Sequence, residues 1–123
     1  STPAQLGYLA GLESDRSWMK GYAAKVVQQR DVCVERIRSI EGLEVQSSGG
    51  AFYMFVKLTD EKWALDDKQF VLDLLHEEHV LVVHGSGFSP ELGRGHFRIV
   101  YLPEVGVLNE AFDRIERFLI RHR

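Results

Sequence analysis

Between about Asp15 and Ile40 the apolar residues Trp18, Met19, Tyr22, Ala23, Val26, Val27, Cys33, Val34, Ile37 and Ile40 recur every three or four positions. Lys20, Lys25, Gln28, Gln29, Glu35, Arg36 and Arg38 fill the gaps, and that period predicts an amphipathic helix. Ser14 or Asp15 is its expected N-cap and Gly42 its expected stop. Some 26 residues at a rise of 1.5 Å give about 39 Å. A helix of that length in so short a chain is expected to connect regions as well as cover a core. Gly21 inside it costs about 1 kcal/mol against alanine and predicts the close approach of another element. Trp18 and Trp63 are expected to pack.

The pattern then changes period. Leu43 to Gln46 alternate as a half-buried strand does, and Ser47-Ser48-Gly49-Gly50 form a turn. Ala51 to Leu58 (AFYMFVKL) are apolar on both faces and predict a central strand. A polar segment from Thr59 to Asp67 leads to a short helix with Phe70, Val71, Leu74 and Leu75 on one stripe. Val80 to Val83 predict a short buried strand, Gly85 to Gly95 a loop, and His96 to Leu102 a strand. The stripe Leu108, Ala111, Phe112, Ile115, Phe118 and Leu119 predicts a final helix. The order helix, strand, strand, helix, strand, strand, helix is that of an α+β domain. We expect a two-layer sandwich, a small β-sheet covered by helices, with the long helix at its N-terminal end.

The 123 residues suit one domain. An apolar content of 45% and a charged content of 27% are those of a folded globular chain. A formal charge of −3 with no basic stripe argues against a nucleic-acid surface. The longest apolar runs are far short of a membrane span, and no charged-then-apolar leader is visible. The single cysteine, Cys33, precludes an intrachain disulfide and fits a reducing cytoplasm. The opening STPAQLGYLAGL carries Leu6, Tyr8, Leu9 and Leu12 without charges to solvate its other side, as expected of the cut end of a larger polypeptide.

Arg98 sits within the strand-like run HFRIVYLPE. It shares a face with His96, Val100 and Leu102, while Phe97, Ile99 and Tyr101 point the other way. An unpaired buried charge is very costly, so this arginine either escapes to solvent or meets an anion. From pattern alone the commoner outcome is an edge-strand arginine, solvated or paired with a structural carboxylate. The glycine-rich loop GSGFSPELGRG before it shifts the balance towards a binding site, since a guanidinium on a rigid strand suits two-pronged recognition of a carboxylate.

Other constellations are weaker. Gly85 and Gly87 make a G-x-G better read as a tight turn than as a phosphate cradle. His84 and Ser86 are expected to point apart, with no orienting carboxylate implied. His76 and His79 lack a third metal ligand, and Cys33 falls on a core stripe. Lys20, Lys25, Lys57, Lys62 and Lys68 lie on polar faces or in loops, with no apolar pocket around them to activate an amine. No catalytic, cofactor-binding or metal residue is therefore assigned in the chain.

Taken in order, SGGAFYMFVKL, VLVVHGSGF, GHFRIVYLPE and LNEAFDRIERFL resemble the carboxy-terminal part of class I/II, fold-type I pyridoxal-phosphate aminotransferases, nearest to the alanine/aspartate type. YAAKVVQQRDVCVERIRSIEGLEV, with its Arg30-Asp31 pair, resembles the long inter-domain helix of that family. The resemblance covers essentially the whole chain. It implies that residues 1–12 end a cofactor-binding large domain and residues 13–123 form the small domain that closes over substrate. It also implies that Arg98 binds the substrate α-carboxylate, that Phe52 and Phe88 lie toward the domain cleft, and that the Schiff-base lysine and the pyridoxal phosphate site precede residue 1. The full-length protein would then be a cytoplasmic homodimer that exchanges an amino group between an amino acid and a 2-oxo acid, and this part alone would be inactive. Ser48 departs from the family, which usually has proline there, and this makes the turn before GAFY less rigid. A non-catalytic α+β module that binds an amino acid through the same Arg98 is the competing reading.

Overall fold

Helix α2 runs from Ser17 to Ser39, close to the span its periodicity predicts, in a computed structural model that describes residues 1–123. Its N-cap is Arg16 rather than Ser14 or Asp15. Asp15 acts one position earlier, accepting from the Ser17 N–H at 3.0 Å and the Ser17 hydroxyl at 2.6 Å. Only the second half of the helix is covered: Gln29, Cys33, Val34 and Ile37 are buried, while Trp18, Met19 and Tyr22 are exposed. Trp18 is thus not a packing residue here, and nothing approaches Gly21. Before α2, Thr2–Glu13 form a helix, α1, with no buried residue.

Beyond α2 come β1 (Leu43–Val45), β2 (Tyr53–Leu58), the short helix α3 (Glu61–Leu65), α4 (Asp67–Glu78), β3 (Val83–His84), a 3-10 turn (Gly85–Gly87), β4 (His96–Val100) and α5 (Val105–Arg121). The polar stretch after β2 holds two helix starts. Asp60 accepts from the Lys62 N–H, and Asp66 accepts from the Gln69 N–H, each satisfying an orphan donor of a first turn. His79 ends α4 in the left-handed region (φ 56°), its N–H returning to the Leu75 carbonyl.

The sheet has the order β1-β2-β4-β3, antiparallel throughout. Four strands with helices on one side make the two-layer α+β arrangement that the order of elements predicts. β2 is central, as expected, but it is not apolar-buried on both faces. It starts at Tyr53, and its residues alternate: Met54, Val56 and Leu58 face the helices, and Tyr53, Phe55 and Lys57 face outward. Of the segment 80–83, only Val83 joins a ladder, with His84 following it; Val80 and Val82 are buried but unpaired in the sheet.

The core lies between the inner sheet face and α2, α3, α4 and α5. Phe70, Phe97, Phe118 and Trp63 meet there with ring centroids 5.2–5.6 Å apart, and truncating such a buried ring costs about 3–5 kcal/mol. α5 presents Leu108, Phe112, Ile115, Phe118 and Leu119 inward, as its stripe predicts. Two polar devices join the layers. Buried Gln29 donates from Nε2 to the carbonyls of Leu102 (2.8 Å) and Pro103 (2.6 Å), just after β4. Buried Glu78, at the end of α4, accepts from Arg117 at 2.7 Å and Arg121 at 2.8 Å on α5.

Candidate functional site

Period-two alternation places Arg98 on the outer face of β4, with Phe97 and Ile99 in the core on either side. β4 lies between β2 and β3, so Arg98 is not an edge-strand arginine. Opposite it are Phe55 on β2 and Val83 on β3. The guanidinium carbon is 4.1 Å from the centroid of the Phe88 ring and 4.4 Å from that of Tyr53. Phe88 also meets Phe55 edge-on at 5.6 Å.

The charge has aromatic walls but no anion. None of the chain's ion pairs includes Arg98, and its buried Nε has no hydrogen-bond partner. Cation–π contacts contribute about 0.5–2 kcal/mol, and they leave the N–H donors unmet. A buried donor without a partner costs about 1–3 kcal/mol. An incoming carboxylate would satisfy those donors through charge-assisted bonds. The arrangement is therefore a cationic group on the outer sheet face, walled by two rings and without an acidic partner in the chain.

The preceding loop is built to hold Phe88 in place. At Gly85 and Gly93 the two backbones run so close that a Cβ at either would lie 2.2 Å or 1.9 Å from the other's carbonyl oxygen. The Phe88 N–H returns to the Gly85 carbonyl at 2.9 Å and closes the turn. The turn also corrects the expectation that His84 and Ser86 point apart. Residues two apart share one face of a strand, and with the chain leaving β3 directly into a 3-10 turn, His84 Nδ1 reaches Ser86 Oγ at 3.0 Å. A carboxylate is present as well: Asp67 accepts from the Ser86 N–H and from its hydroxyl, both at 2.7 Å. The serine lies between the acid and the imidazole, whereas a nucleophilic triad needs the imidazole in the middle. The geometry is that of a clamp.

Tyr53, Phe55 and Asp67 are the residues that sequence reasoning passed over. Phe52, expected toward the cleft, meets Tyr53 at a tilt of 45° with centroids 4.5 Å apart, and it is Tyr53 that meets the arginine. The signal was the shared parity of 53 and 55 on one strand and 98 on another, which acquires meaning once the register is known. His76 and His79 are exposed, and no three His, Cys, Asp or Glu side chains gather as a metal site.

Pyridoxal phosphate, implied by the resemblance, calls for a lysine amine in a sheltered pocket. All five lysines are exposed. Lys25 is paired with Glu104, Lys57 with Glu44, and Lys62 lies over Trp63. The residues present fit a carboxylate and do not fit that cofactor.

Comparison with known proteins agrees in fold and sequence. The family model for aminotransferase class I and II matches residues 1–115. A glutamate-pyruvate aminotransferase of Haemophilus influenzae is 42% identical over an alignment of 103 positions that covers 80% of this chain and 24% of that protein. The structure of an alanine aminotransferase from Pyrococcus furiosus superposes with a TM-score of 0.92 at 46% identity, covering 100% of this chain and 30% of that one. An aspartate aminotransferase structure from Rhizobium meliloti gives a TM-score of 0.82 at 28% identity over 95% of this chain and 30% of its own. The chain thus spans 24% to 30% of the length of these relatives. With a family model matching nearly all of its residues, the chain belongs to the class I and II aminotransferases.

Proposed function

We propose that the full-length protein is an aminotransferase using pyridoxal phosphate, which moves an amino group between an amino acid of the alanine/aspartate type and a 2-oxo acid. In this reading residues 1–12 end the large domain, residues 13–123 are the small domain, and the cofactor is held by the portion that this chain does not span. The protein works as a homodimer in the cytoplasm, and this part alone is inactive. The observation that carries the reading is Arg98, an unpaired guanidinium between two rings on the outer sheet face.

The role of Arg98 follows from its chemistry. It takes the substrate α-carboxylate through two parallel N–H···O bonds, and a planar fork fixes direction as well as distance. Holding the carboxylate holds Cα, and such positioning can lower a barrier by several kcal/mol. Phe88 and Tyr53 flank the cation, and its Nε is buried between them. Amino acid and oxo acid both carry this carboxylate, so Arg98 serves both half-reactions and does not choose the side chain.

Truncating one side of a buried charge pair costs about 2–5 kcal/mol. Arg98→Ala in the full-length protein is therefore expected to lower kcat/KM in both half-reactions by that amount, leaving cofactor binding nearly unchanged. Arg98→Lys recovers little, since an ammonium lacks the fork. Single-turnover kinetics with an amino acid and an oxo acid make the measurement, and an unchanged kcat/KM in both directions would show a structural arginine.

A further inference from the structure

Asp67 is a buried carboxylate, 3% exposed, that none of the chain's ion pairs includes. Its position in the first turn of α4 gives it a favourable helix field, but it does not cap that helix. The cap is Asp66, which takes the Gln69 N–H. The Asp67 side chain instead leaves its own helix and takes both donors of Ser86, 19 residues away. The hydroxyl proton goes to Asp67, so the hydroxyl oxygen accepts from His84 Nδ1. The His84 ring in turn lies against Gly87, where an added Cβ would come within 2.8 Å of it. Carboxylate, hydroxyl and imidazole thus fix the turn on one side, and the Gly85–Gly93 backbone contact fixes it on the other.

The residue that leaves this turn is Phe88, whose ring walls the Arg98 guanidinium at 4.1 Å. We propose that Asp67 is a positioning residue for carboxylate binding, acting through Ser86 and Phe88 to hold the Arg98 guanidinium in its carboxylate-accepting orientation. This rests on the reading of Arg98 given above. Buried charge-assisted bonds hold geometry well, and a misplacement of about 1 Å in a site can cost a hundredfold. A clamp two residues before Phe88 is thus well placed to govern affinity without touching substrate.

The test uses the full-length protein with its cofactor, in variants Asp67→Ala, Asp67→Asn, Ser86→Ala and Arg98→Ala, and in Ser86→Ala/Arg98→Ala. Two readings are taken: the competition constant of propionate, a carboxylate without an amino group, and the KM and kcat of each half-reaction. Thermal unfolding is followed in parallel. Asp67→Ala and Ser86→Ala are expected to weaken propionate roughly tenfold to a hundredfold and to raise KM more than they lower kcat. Asp67→Asn, which still accepts the Ser86 N–H, should fall between them and the unaltered protein. In the Arg98→Ala background, Ser86→Ala should add nothing, because groups that act as a unit are non-additive.

Unchanged propionate affinity in Ser86→Ala, or a Ser86→Ala loss that multiplies fully with Arg98→Ala, would overturn the proposal while the Arg98 assignment stands. Unchanged affinity in Arg98→Ala would overturn both. If Asp67→Ala does not fold, Ser86→Ala decides, since it removes the two hydroxyl bonds of the clamp, to Asp67 and from His84, and leaves the buried carboxylate its backbone donor.

Discussion

Cys33 lies on the inward stripe of α2 with no solvent exposure, and burial pushes its thiol up to about 12 from an ordinary 9.0. A thiolate is the reactive form, so the native protein should label with a thiol reagent only as fast as it unfolds. The sign for stability follows: the contribution of the neutral buried thiol is complete below pH 9 and is lost as pH rises from there toward 12. Stoichiometric labelling within seconds under native conditions would contradict this. Ala51 is a different kind of residue, an L-residue held at φ 58° while its carbonyl accepts from the Tyr101 hydroxyl at 3.0 Å. The left-handed region costs such a residue about 1–2 kcal/mol, and glycine's extra freedom in the unfolded chain returns about 0.5–1 kcal/mol of that. Ala51→Gly should therefore raise stability by roughly 0.5 kcal/mol, with an unchanged denaturant slope in urea unfolding. A fall in the midpoint would show that the methyl group does something beyond its backbone cost.

At the scale of elements, the α4–α5 junction rests on one carboxylate. Hydrogen bonds first from Arg117 and then from Arg121 hold Glu78 below its ordinary value of 4.5, against the opposing effect of its burial. A carboxyl with a depressed folded value contributes stability that is present above pH 4.5 and lost as pH falls through the folded value. Stability of the unaltered protein should thus fall with acid more steeply than that of Glu78→Gln, and the two curves should converge at low pH. Parallel curves in urea unfolding from pH 7 to pH 3 would place the acid sensitivity elsewhere. Nothing in the sequence marked this contact, because Glu78 and Arg117 lie 39 positions apart and meet only once two helices pack. The helices themselves were legible: α2, α4 and α5 have local periodicities that survive any tertiary arrangement. Strand faces were half legible. Arg98, on β4, was found because it interrupts an apolar run, while Tyr53 and Asp67 reach the site through register and a turn, which are long-range facts. The readings of Trp18 and Gly21 failed for a related reason, since the first half of α2 has no partner in this chain to pack against.

On the scale of the whole chain, exposed apolar residues include those of the entire first helix and the start of the second. Leu6, Tyr8, Leu9 and Leu12 of α1 and Trp18, Met19 and Tyr22 of α2 are all exposed, as are Phe52 and Phe88 near Arg98. No helix is long and apolar enough to cross a membrane. Patches of this size favour association, so the 123-residue chain on its own is expected to self-associate as its concentration rises. Light scattering should show mass increasing with concentration, and replacing Leu6, Tyr8, Leu9 and Trp18 with serine should abolish the increase. A strictly monomeric species at high concentration would refute it.

The Gln29 amide has a mechanical consequence. Its two bonds, to the carbonyls of Leu102 and Pro103, weld the middle of a helix some 35 Å long to the chain just beyond the arginine's strand. The Lys25–Glu104 pair, 2.6 Å apart, adds a second rivet one turn nearer the free end. Helix and strand then behave as one lever. A tilt of the uncovered half of α2 is then expected to reach the strand that carries the guanidinium through this joint.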